Sequence, residues 1–159
     1  MTSLANIDTV AAVAQLQASF AAQQAGIAQA AAASILTAPA SWTPTDASGA
    51  SITFVSATGQ WYTVGHLVVA QLAITYPGAV VSTAAAIIGG LPVPVPNNTF
   101  ATSVAICAVT NMGSPTGVAL VAVQNSSYAS CYNPVAQANI ENVSLSGATI
   151  KCTLIYSAL

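Results

Sequence analysis

Charged side chains are nearly absent from this sequence. Its 159 residues include one lysine and three acidic residues, for a formal net charge of -2. A single cation cannot neutralise a phosphate backbone, so the composition excludes electrostatic binding of nucleic acid. Net charge also keeps protein molecules apart in solution, and a free monomer of this chain has little of it. We therefore expect a protein that works inside an assembly.

Groups for acid–base or metal chemistry are equally scarce. His66 is the single histidine, and the acids Asp8, Asp46 and Glu141 lie far apart in the sequence. No nucleophile-elbow pattern is present, and glycosidase chemistry needs two facing carboxylates. The sequence also lacks a glycine-rich phosphate loop and a calcium loop. We expect no enzyme activity, no cofactor and no metal site.

The sequence has few cysteines, and their spacing is uninformative about metals. Cys107, Cys131 and Cys152 are widely separated and form no C-x-x-C pair, which argues against a zinc site. We expect buried thiols that act as small apolar side chains. The alternative is a disulfide within a chain or between subunits. It would require an oxidising setting, such as the outside of a particle released from a cell.

Long hydrophobic runs are missing despite a mean hydropathy of +0.71. A membrane-spanning helix needs about 20 consecutive apolar residues, and the best candidate, residues 4–38, is interrupted by Asn6, Asp8 and several glutamines. No basic residue stands near Met1, as a secretion signal would require. We expect neither membrane insertion nor a cleaved leader.

The N-terminal part of the chain is rich in the helix formers alanine and glutamine and contains no proline before Pro39. Ser3 and Asp8 suit the positive end of a helix, and a residue that precedes proline is pushed out of helical geometry. We predict a helix over about residues 4–35, within an N-terminal attachment or stalk segment of residues 1–38.

Apolar residues of this segment alternate in steps of three and four, which is typical of a coiled-coil seam. The predicted seam contains Leu4, Ile7, Ala11, Ala14, Ala18, Ala21, Ala25 and Ala28. A second stripe with larger side chains contains Val10, Val13, Gln17, Phe20, Gln24 and Ile27. Alanine is so frequent that the register stays open. A helix with no ion pairs of its own needs a partner, either its own copies or another protein.

After a turn-rich linker at residues 39–50, the signals become those of short strands. We predict strands at 51–56 and 66–76, with residues 57–60 as a turn. Further strands are predicted near 80–88, 101–110, 117–124, 127–132, 138–145 and 148–157. Strands of this length and spacing indicate an antiparallel β-sandwich, jelly-roll-like, over residues 51–159.

The long run at 66–76 is apolar on both faces. One face carries Val68, Ala70, Leu72, Ile74 and Tyr76, and the other carries Leu67, Val69, Gln71, Ala73 and Thr75. The second face is more apolar than a solvated face needs to be. Monomers seldom expose such patches, so we expect a neighbouring subunit to cover it.

Residues 59–68, with the sequence GQWYTVGHLV, are followed at residues 87–92 by IIGGLP. This pattern resembles a module at the C-termini of bacteriophage fibre and tail proteins. The motif positions are Gly59, Trp61, Tyr62, Gly65, Val68, Gly90, Leu91 and Pro92. The resemblance covers about residues 51–159. It implies a small antiparallel β-sandwich that forms homotrimers, often beneath a helical or fibrous stalk.

The aromatic pair and the glycines of this motif can be given physical roles. Gly59 and Gly65 suit tight turns on either side of the pair. Trp61 and Tyr62 point to opposite faces if the chain is extended there. We therefore expect one of them in the core and the other at a subunit contact.

The leading interpretation is a homotrimeric virion structural protein of a bacteriophage, either a capsid decoration protein or a short head fibre. It would be assembled in the host cytoplasm and lie on the virion surface. Its partners would be its own copies and the major capsid protein or a tail or neck protein. The alternative is a receptor-binding tail protein that recognises a host surface glycan or protein through Tyr128 and Tyr132.

Overall fold

The computed structural model describes residues 4–35, 38–97, 103–113 and 117–158. The chain divides into two compact units, Met1–Thr37 and Ala38–Leu159. The first unit contains one helix, α1 (Leu4–Ile35). The predicted helix is confirmed, because alanine and glutamine favour helical geometry throughout this stretch.

The second unit is mainly β. In chain order its described strands are β1 (Ala40–Trp42), β2 (Thr45–Asp46), β3 (Ser56–Val64), β4 (Leu67–Thr75), β5 (Ile87–Gly89), β6 (Val104–Ile106), β7 (Ala108–Thr110), β8 (Ala119–Ala122), β9 (Tyr128–Asn133), β10 (Ala138–Asn139) and β11 (Thr149–Ser157). The first sheet has the order β1-β3-β4-β11-β7. The second sheet has the order β2-β5-β9-β8-β6, and β10 pairs with β9. All described pairings are antiparallel, and the buried faces of the two sheets share one core.

The chain passes from one sheet to the other at both edges of the sandwich. At one edge β1 of the first sheet leads through Thr43 and Pro44 into β2 of the second. At the opposite edge β6 of the second sheet leads through Cys107 into β7 of the first. Continuous chain therefore links the two sheets on both sides.

The predicted linker at residues 39–50 is wrong over much of its length. It contains β1 and β2, and Trp42 is only 9% exposed. Its two prolines suggested an unstructured connection, but proline is tolerated at strand edges and where a strand changes direction. Burial of a tryptophan side chain is a large apolar contribution that ties this stretch to the sandwich.

The core follows the alternation that the sequence predicted for β4. Val68, Ala70, Leu72, Ile74 and Tyr76 are at most 5% exposed, which confirms their common buried face. Opposite them lie residues of β11 in register, with Ile150 next to Ile74 and Leu154 next to Ala70. Apolar burial of this kind contributes roughly 25 cal/mol per Å² removed from water.

Three local predictions differ from the structure. Residues 51–55 form no strand, and β3 begins at Ser56 and runs through the predicted turn. The predicted strand at 138–145 is the two-residue β10 followed by a 3₁₀ helix at Asn142–Leu145. The strand predicted near 80–88 is limited to β5. In each case side-chain hydrogen bonds or distant packing outweigh the local β preference.

Candidate functional site

The groups considered for catalysis lie in separate parts of the molecule. His66 is exposed in the turn between β3 and β4, and Glu141 is exposed beside its bridge to Ala85. Asp8 belongs to α1, in the other unit. Among the described residues no three His, Cys, Asp or Glu side chains are grouped so that they could hold a metal ion.

Asp46 uses both carboxylate oxygens to hold its own loop. Its Oδ1 accepts hydrogen bonds from the backbone N–H of Ser48 at 3.0 Å and from the Ser48 hydroxyl at 2.6 Å. Its Oδ2 accepts from the N–H of Ile52 at 2.9 Å. Asn142 is fully buried, and its amide donates to the Ser48 oxygen at 3.0 Å and to the Ala84 carbonyl at 3.1 Å. This network fixes residues 46–52 to the 3₁₀ helix and explains why 51–55 is not a strand.

The motif aromatics point to opposite sides of the first sheet, as the sequence predicted. Trp61 stands beside Ala70 and packs against the core, whereas Tyr62 stands beside Val69 on the outer face. The structure thus separates a core aromatic from a surface aromatic at adjacent positions. The contact of Tyr62 with another subunit stays a prediction.

The other motif positions serve the fold. Gly65 has φ 59° in the β3–β4 turn and Gly90 has φ 77°, a left-handed geometry that favours glycine. Val68 is fully buried, Leu91 is 5% exposed and Pro92 is partly buried. These positions form turns and core rather than a binding surface.

Gly59 was predicted in a turn, and that prediction is wrong. It lies in the middle of β3, where a Cβ atom would collide with the indole ring of Trp42. The indole N–H of Trp42 donates to the Gln71 carbonyl at 3.1 Å. Gly59 is therefore required for close approach of the tryptophan, a common reason for glycine inside a strand.

The outer face of the first sheet carries an apolar surface near the β3–β4 turn, which we call the hairpin patch. It consists of Tyr62, Val64, Leu67, Val69 and Ile155. Tyr62, Val69 and Ile155 lie side by side across three strands, and Val64 lies beside Leu67. Leu67 is 49% exposed and Ile155 is 50% exposed. An exposed apolar group of this kind is typical of an interaction surface.

The remainder of this outer face is mainly polar, with Ala73 and Ala108 as small apolar residues beside Lys151. Gln60, Gln71 and Thr153 follow the hairpin patch in register. Beyond them the hydroxyl of Thr75 lies 3.1 Å from those of Ser56 and Thr149. The face therefore changes from apolar to hydrogen-bonding along the strands, so any partner that covers all of it needs both kinds of surface.

Both tyrosines of the receptor hypothesis lie on the outer face of the second sheet. Tyr128 and Tyr132 are both in β9, with Ser130 between them on the same face. Tyr128 stands opposite Gly89, while Tyr132 stands between Ala119 and Asn139. Each ring is half-buried, so one part of each is available to solvent.

The helical unit exposes every side chain that the structure describes in it, residues 13–29. These include Val13, Leu16, Phe20 and Ile27, which are 52–71% exposed. The seam positions Ala14, Ala18, Ala21, Ala25 and Ala28 are also exposed, whereas the side chains of Leu4, Ile7 and Ala11 lie outside the described residues. Alanine occurs on all sides of α1, so its apolar character is spread around the helix rather than confined to one face.

All three cysteines are buried thiols, which confirms the predicted burial. The sulfur atoms of Cys107 and Cys152 are 2.9 Å apart, with Cys107 as the donor. That hydrogen bond raises the pKa of Cys107, and burial raises it further. The same hydrogen bond lowers the pKa of Cys152, although burial acts in the opposite direction there. Burial raises the pKa of Cys131 to about 12. No local pattern indicates the approach of Cys107 to Cys152, because it depends on the pairing of β7 with β11.

No protein-family model, curated protein or solved structure matches this chain. No described helix, α1 included, has the length and hydrophobicity to cross a membrane. Functional inference therefore starts from the surfaces above: α1, the hairpin patch and the outer face of the second sheet.

Proposed function

We propose that this chain is a homotrimeric, non-enzymatic structural protein of a bacteriophage virion, either a capsid decoration protein or a short head fibre. In this proposal the N-terminal helices bundle or attach to the particle, and the β-sandwich is displayed outward. The partners are two further copies of the chain and the major capsid protein or a neck protein.

The exposure of α1 is the observation that carries the proposal. A helix that is apolar all round is normally buried, in a protein core or by association. Every described side chain of α1, from residue 13 to 29, is exposed. Phe20, at 59% exposed, and Ile27, at 71%, are the side chains that gain most from association.

The large side chains of α1 also have suitable spacing for a helical bundle. Val13, Leu16, Phe20 and Ile27 are separated by three, four and seven residues, the spacing of an a/d seam. A trimer needs no complementary charges for this contact. That fits a chain with one lysine and three acidic residues.

The hairpin patch offers a second contact between copies. Its central residue Val69 is 8% exposed because Tyr62 and Ile155 flank it, while the rim formed by Val64 and Leu67 stays open. Lys151 is the charged residue of this face, and it lies two rows away from the nearest patch residues. A copy could therefore cover the patch without burying a charge, which would be costly.

A receptor-binding tail protein is the second candidate. It is favoured by Tyr128 and Tyr132, which share one strand face and each keep part of the ring accessible. Aromatic rings with neighbouring hydroxyl and amide groups suit stacking on a neutral glycan. In this case the first sheet and α1 would still mediate assembly, and the second sheet would face the host.

Location and copy number on purified virions test the proposal. Antibody labelling and quantitative mass spectrometry should find many copies spread over the capsid lattice. A few copies at the tail would favour the receptor-binding candidate instead. Absence of the protein from purified virions would overturn both.

A matched pair of variants tests the role of the helix in attachment. Leu16→Gln combined with Phe20→Gln should reduce incorporation into particles at least tenfold. Gln15→Ala combined with Gln29→Ala, also on α1 but off the seam of Val13, Leu16, Phe20 and Ile27, should leave incorporation unchanged. Equal incorporation of both pairs would show that the large apolar side chains are not the attachment surface.

A further inference from the structure

We propose that Cys107 and Cys152 are a disulfide-forming dithiol, oxidised within the folded chain by a peroxide. The inference is independent of the proposed function, because it rests on the positions of two sulfur atoms within one β-unit. Their sulfur atoms are 2.9 Å apart, and both residues belong to the buried core at 9% and 7% exposed.

The backbone already places the two residues at disulfide distance. β7 pairs with β11 so that Thr110 meets Thr149 and Ala108 meets Lys151. Continuing the same antiparallel register by one step sets Cys107 opposite Cys152. Directly opposed residues in antiparallel strands have Cα atoms about 4.5–5.5 Å apart, and disulfides span Cα separations of about 4.4–6.8 Å. No large backbone movement is needed.

The hydrogen bonding at this position leaves the pair free to close. The N–H of Cys107 donates to the Val118 carbonyl at 2.9 Å, in the second sheet. It is therefore not part of the β7–β11 ladder, which ends at Ala108. Narrow pairs of this kind, without mutual backbone hydrogen bonds, bring side chains closest together.

The oxidation balances with one molecule of hydrogen peroxide. The sulfur of Cys152 attacks one peroxide oxygen, which breaks the O–O bond, forms a sulfenic acid and releases water. The sulfur of Cys107 then attacks the sulfenic sulfur, forming the S–S bond and releasing a second water. Two thiols are oxidised, and the peroxide is reduced to two waters. The hydrogen bond from Cys107, which lowers the pKa of Cys152, favours Cys152 as the first nucleophile.

Cys131 provides an internal control. It is fully buried on β9 of the second sheet, opposite Leu120, and its pKa is raised to about 12 by burial. A thiol held in its neutral form is a poor nucleophile. Cys131 should therefore remain reduced when the other two react.

The bond would secure the edge where the chain changes sheets. β7 is a three-residue edge strand that pairs with β11 alone among the described strands. A Cys107–Cys152 bond would tie β7 covalently to β11, which pairs with β4 at nine positions, and close a loop of 45 residues. Loops of this size restrict the unfolded chain enough to raise the melting temperature by roughly 10 °C.

The experiment compares the reduced full-length chain before and after treatment with dilute hydrogen peroxide. Thiols titrated in denaturant should fall from the three of the reduced chain to a single one. The intact mass should fall by two hydrogen atoms, and a proteolytic map should contain one peptide pair joined through Cys107 and Cys152. The melting temperature should rise, and reductant should reverse the rise.

Two variants complete the test. Cys131→Ala should lose the two remaining thiols on oxidation and keep the temperature shift, whereas Cys152→Ala should show no shift. If a variant folds poorly, the thiol titration and peptide map of the natural chain still test the proposal, because they involve no substitution. Three thiols persisting in the folded chain, or a bond that involves Cys131 or a second chain, would overturn the proposal.

Discussion

The two units of this chain differ in whether their apolar side chains are buried or exposed. The β-unit buries its apolar residues within itself, with Ile74, Leu120 and Leu154 fully inaccessible to solvent. The helical unit exposes every side chain described in it, from residue 13 to residue 29. The two units therefore differ in where their apolar side chains lie.

In the proposed assembly, the contacts with partners lie at the surfaces where apolar side chains are exposed. The β-unit has one core and chain crossings at both edges. α1 has no acidic residue in its first turn and no basic residue in its last turn, and its side chains described from residue 13 to 29 are exposed. Most of the stability of a helix in a protein comes from packing of its apolar surface. In the proposed assembly, other copies of the chain or a capsid protein provide that packing for α1.

The largest expected effect is the loss of stability when the β-unit is shortened at its N-terminal end. A chain starting at Ala38 should fold cooperatively, because it retains β1, β2 and the Asp46–Ser48–Asn142 network. A chain starting at Ser51 loses Trp42, whose burial is worth about 3–5 kcal/mol, and leaves Asn142 without one partner. Denaturant unfolding followed by circular dichroism measures the difference. Equal stability of the two chains would place the boundary of the β-unit after residue 50.

The next largest effect separates the two faces of β4. Ile74→Ala should lower the free energy of unfolding by about 2–5 kcal/mol, because Ile74 is fully buried. Leu67→Ala, on the same strand but 49% exposed, should cost less than about 1 kcal/mol. Both are measured on the chain starting at Ala38 at low concentration. A tolerant Ile74→Ala would mean that the core of the β-unit lies elsewhere.

The β-unit should also lose stability in alkali. Burial raises the pKa of Tyr156 from 10.0 to about 12, and burial raises that of Tyr76 as well. Well below pH 10 each phenol is neutral in the folded and in the unfolded protein, so its contribution to stability is fully present. Above pH 10 the phenol ionises in the unfolded protein but stays neutral in the folded one. The free energy of unfolding then falls by up to about 1.4 kcal/mol per pH unit for each phenol, until the pH reaches the pKa of that phenol in the folded protein.

Unfolding midpoints in urea at about pH 9 and about pH 11 test whether stability falls as the pH rises. The natural chain should be clearly less stable at the higher pH, and Tyr156→Phe should lose less stability than the natural chain over the same interval. A stability that rises toward the higher pH, or a loss unaffected by Tyr156→Phe, would contradict the assignment of these phenols to the core.

The smallest expected effect is the difference in stability between Tyr156→Phe and Tyr76→Phe at neutral pH. The Tyr156 hydroxyl donates to the Val93 carbonyl at 2.8 Å, so Tyr156→Phe should cost about 1 kcal/mol. The Tyr76 hydroxyl is buried and has no hydrogen-bond partner among the described residues. Tyr76→Phe should therefore be neutral or slightly stabilising. Thermal unfolding of the two variants gives the comparison, and a greater cost for Tyr76→Phe would reverse this account.

Sequence reasoning was most successful where local signals agreed. The alanine-rich stretch gave the helix from Leu4 to Ile35, and the alternation in β4 gave the buried face that contains Leu72 and Ile74. Adjacent extended residues point to opposite faces, which gave the separation of Trp61 from Tyr62. These features depend on periodicity within one segment.

The failures share a different cause. The sequence predicts Gly59 in a turn, but a glycine is needed there because Trp42, seventeen positions earlier in the chain, approaches it closely. Residues 51–55 have strand-like alternation, but Asp46 holds their start in a loop through the N–H of Ile52. The approach of Cys107 to Cys152 likewise depends on strand pairing across the sandwich. Contacts between distant segments leave no local pattern.

The hairpin patch was only half predicted for the same reason. Leu67 and Val69 were recognised as unusually apolar for an outer face, since both lie in β4. Ile155 joins them from β11 and Val64 from β3, and only the register of the three strands brings these residues together. The apolar surface is therefore larger than one strand suggested.

The mass of the protein in solution tests the central claim most directly. Sedimentation equilibrium of the full-length chain at micromolar concentration should give three times the chain mass of 15.7 kDa. The chain with Leu16→Gln and Phe20→Gln should give a lower mass, with unfolding of the β-unit unchanged. A full-length chain that sediments as a monomer at this concentration would show that α1 and the hairpin patch do not join copies of this protein.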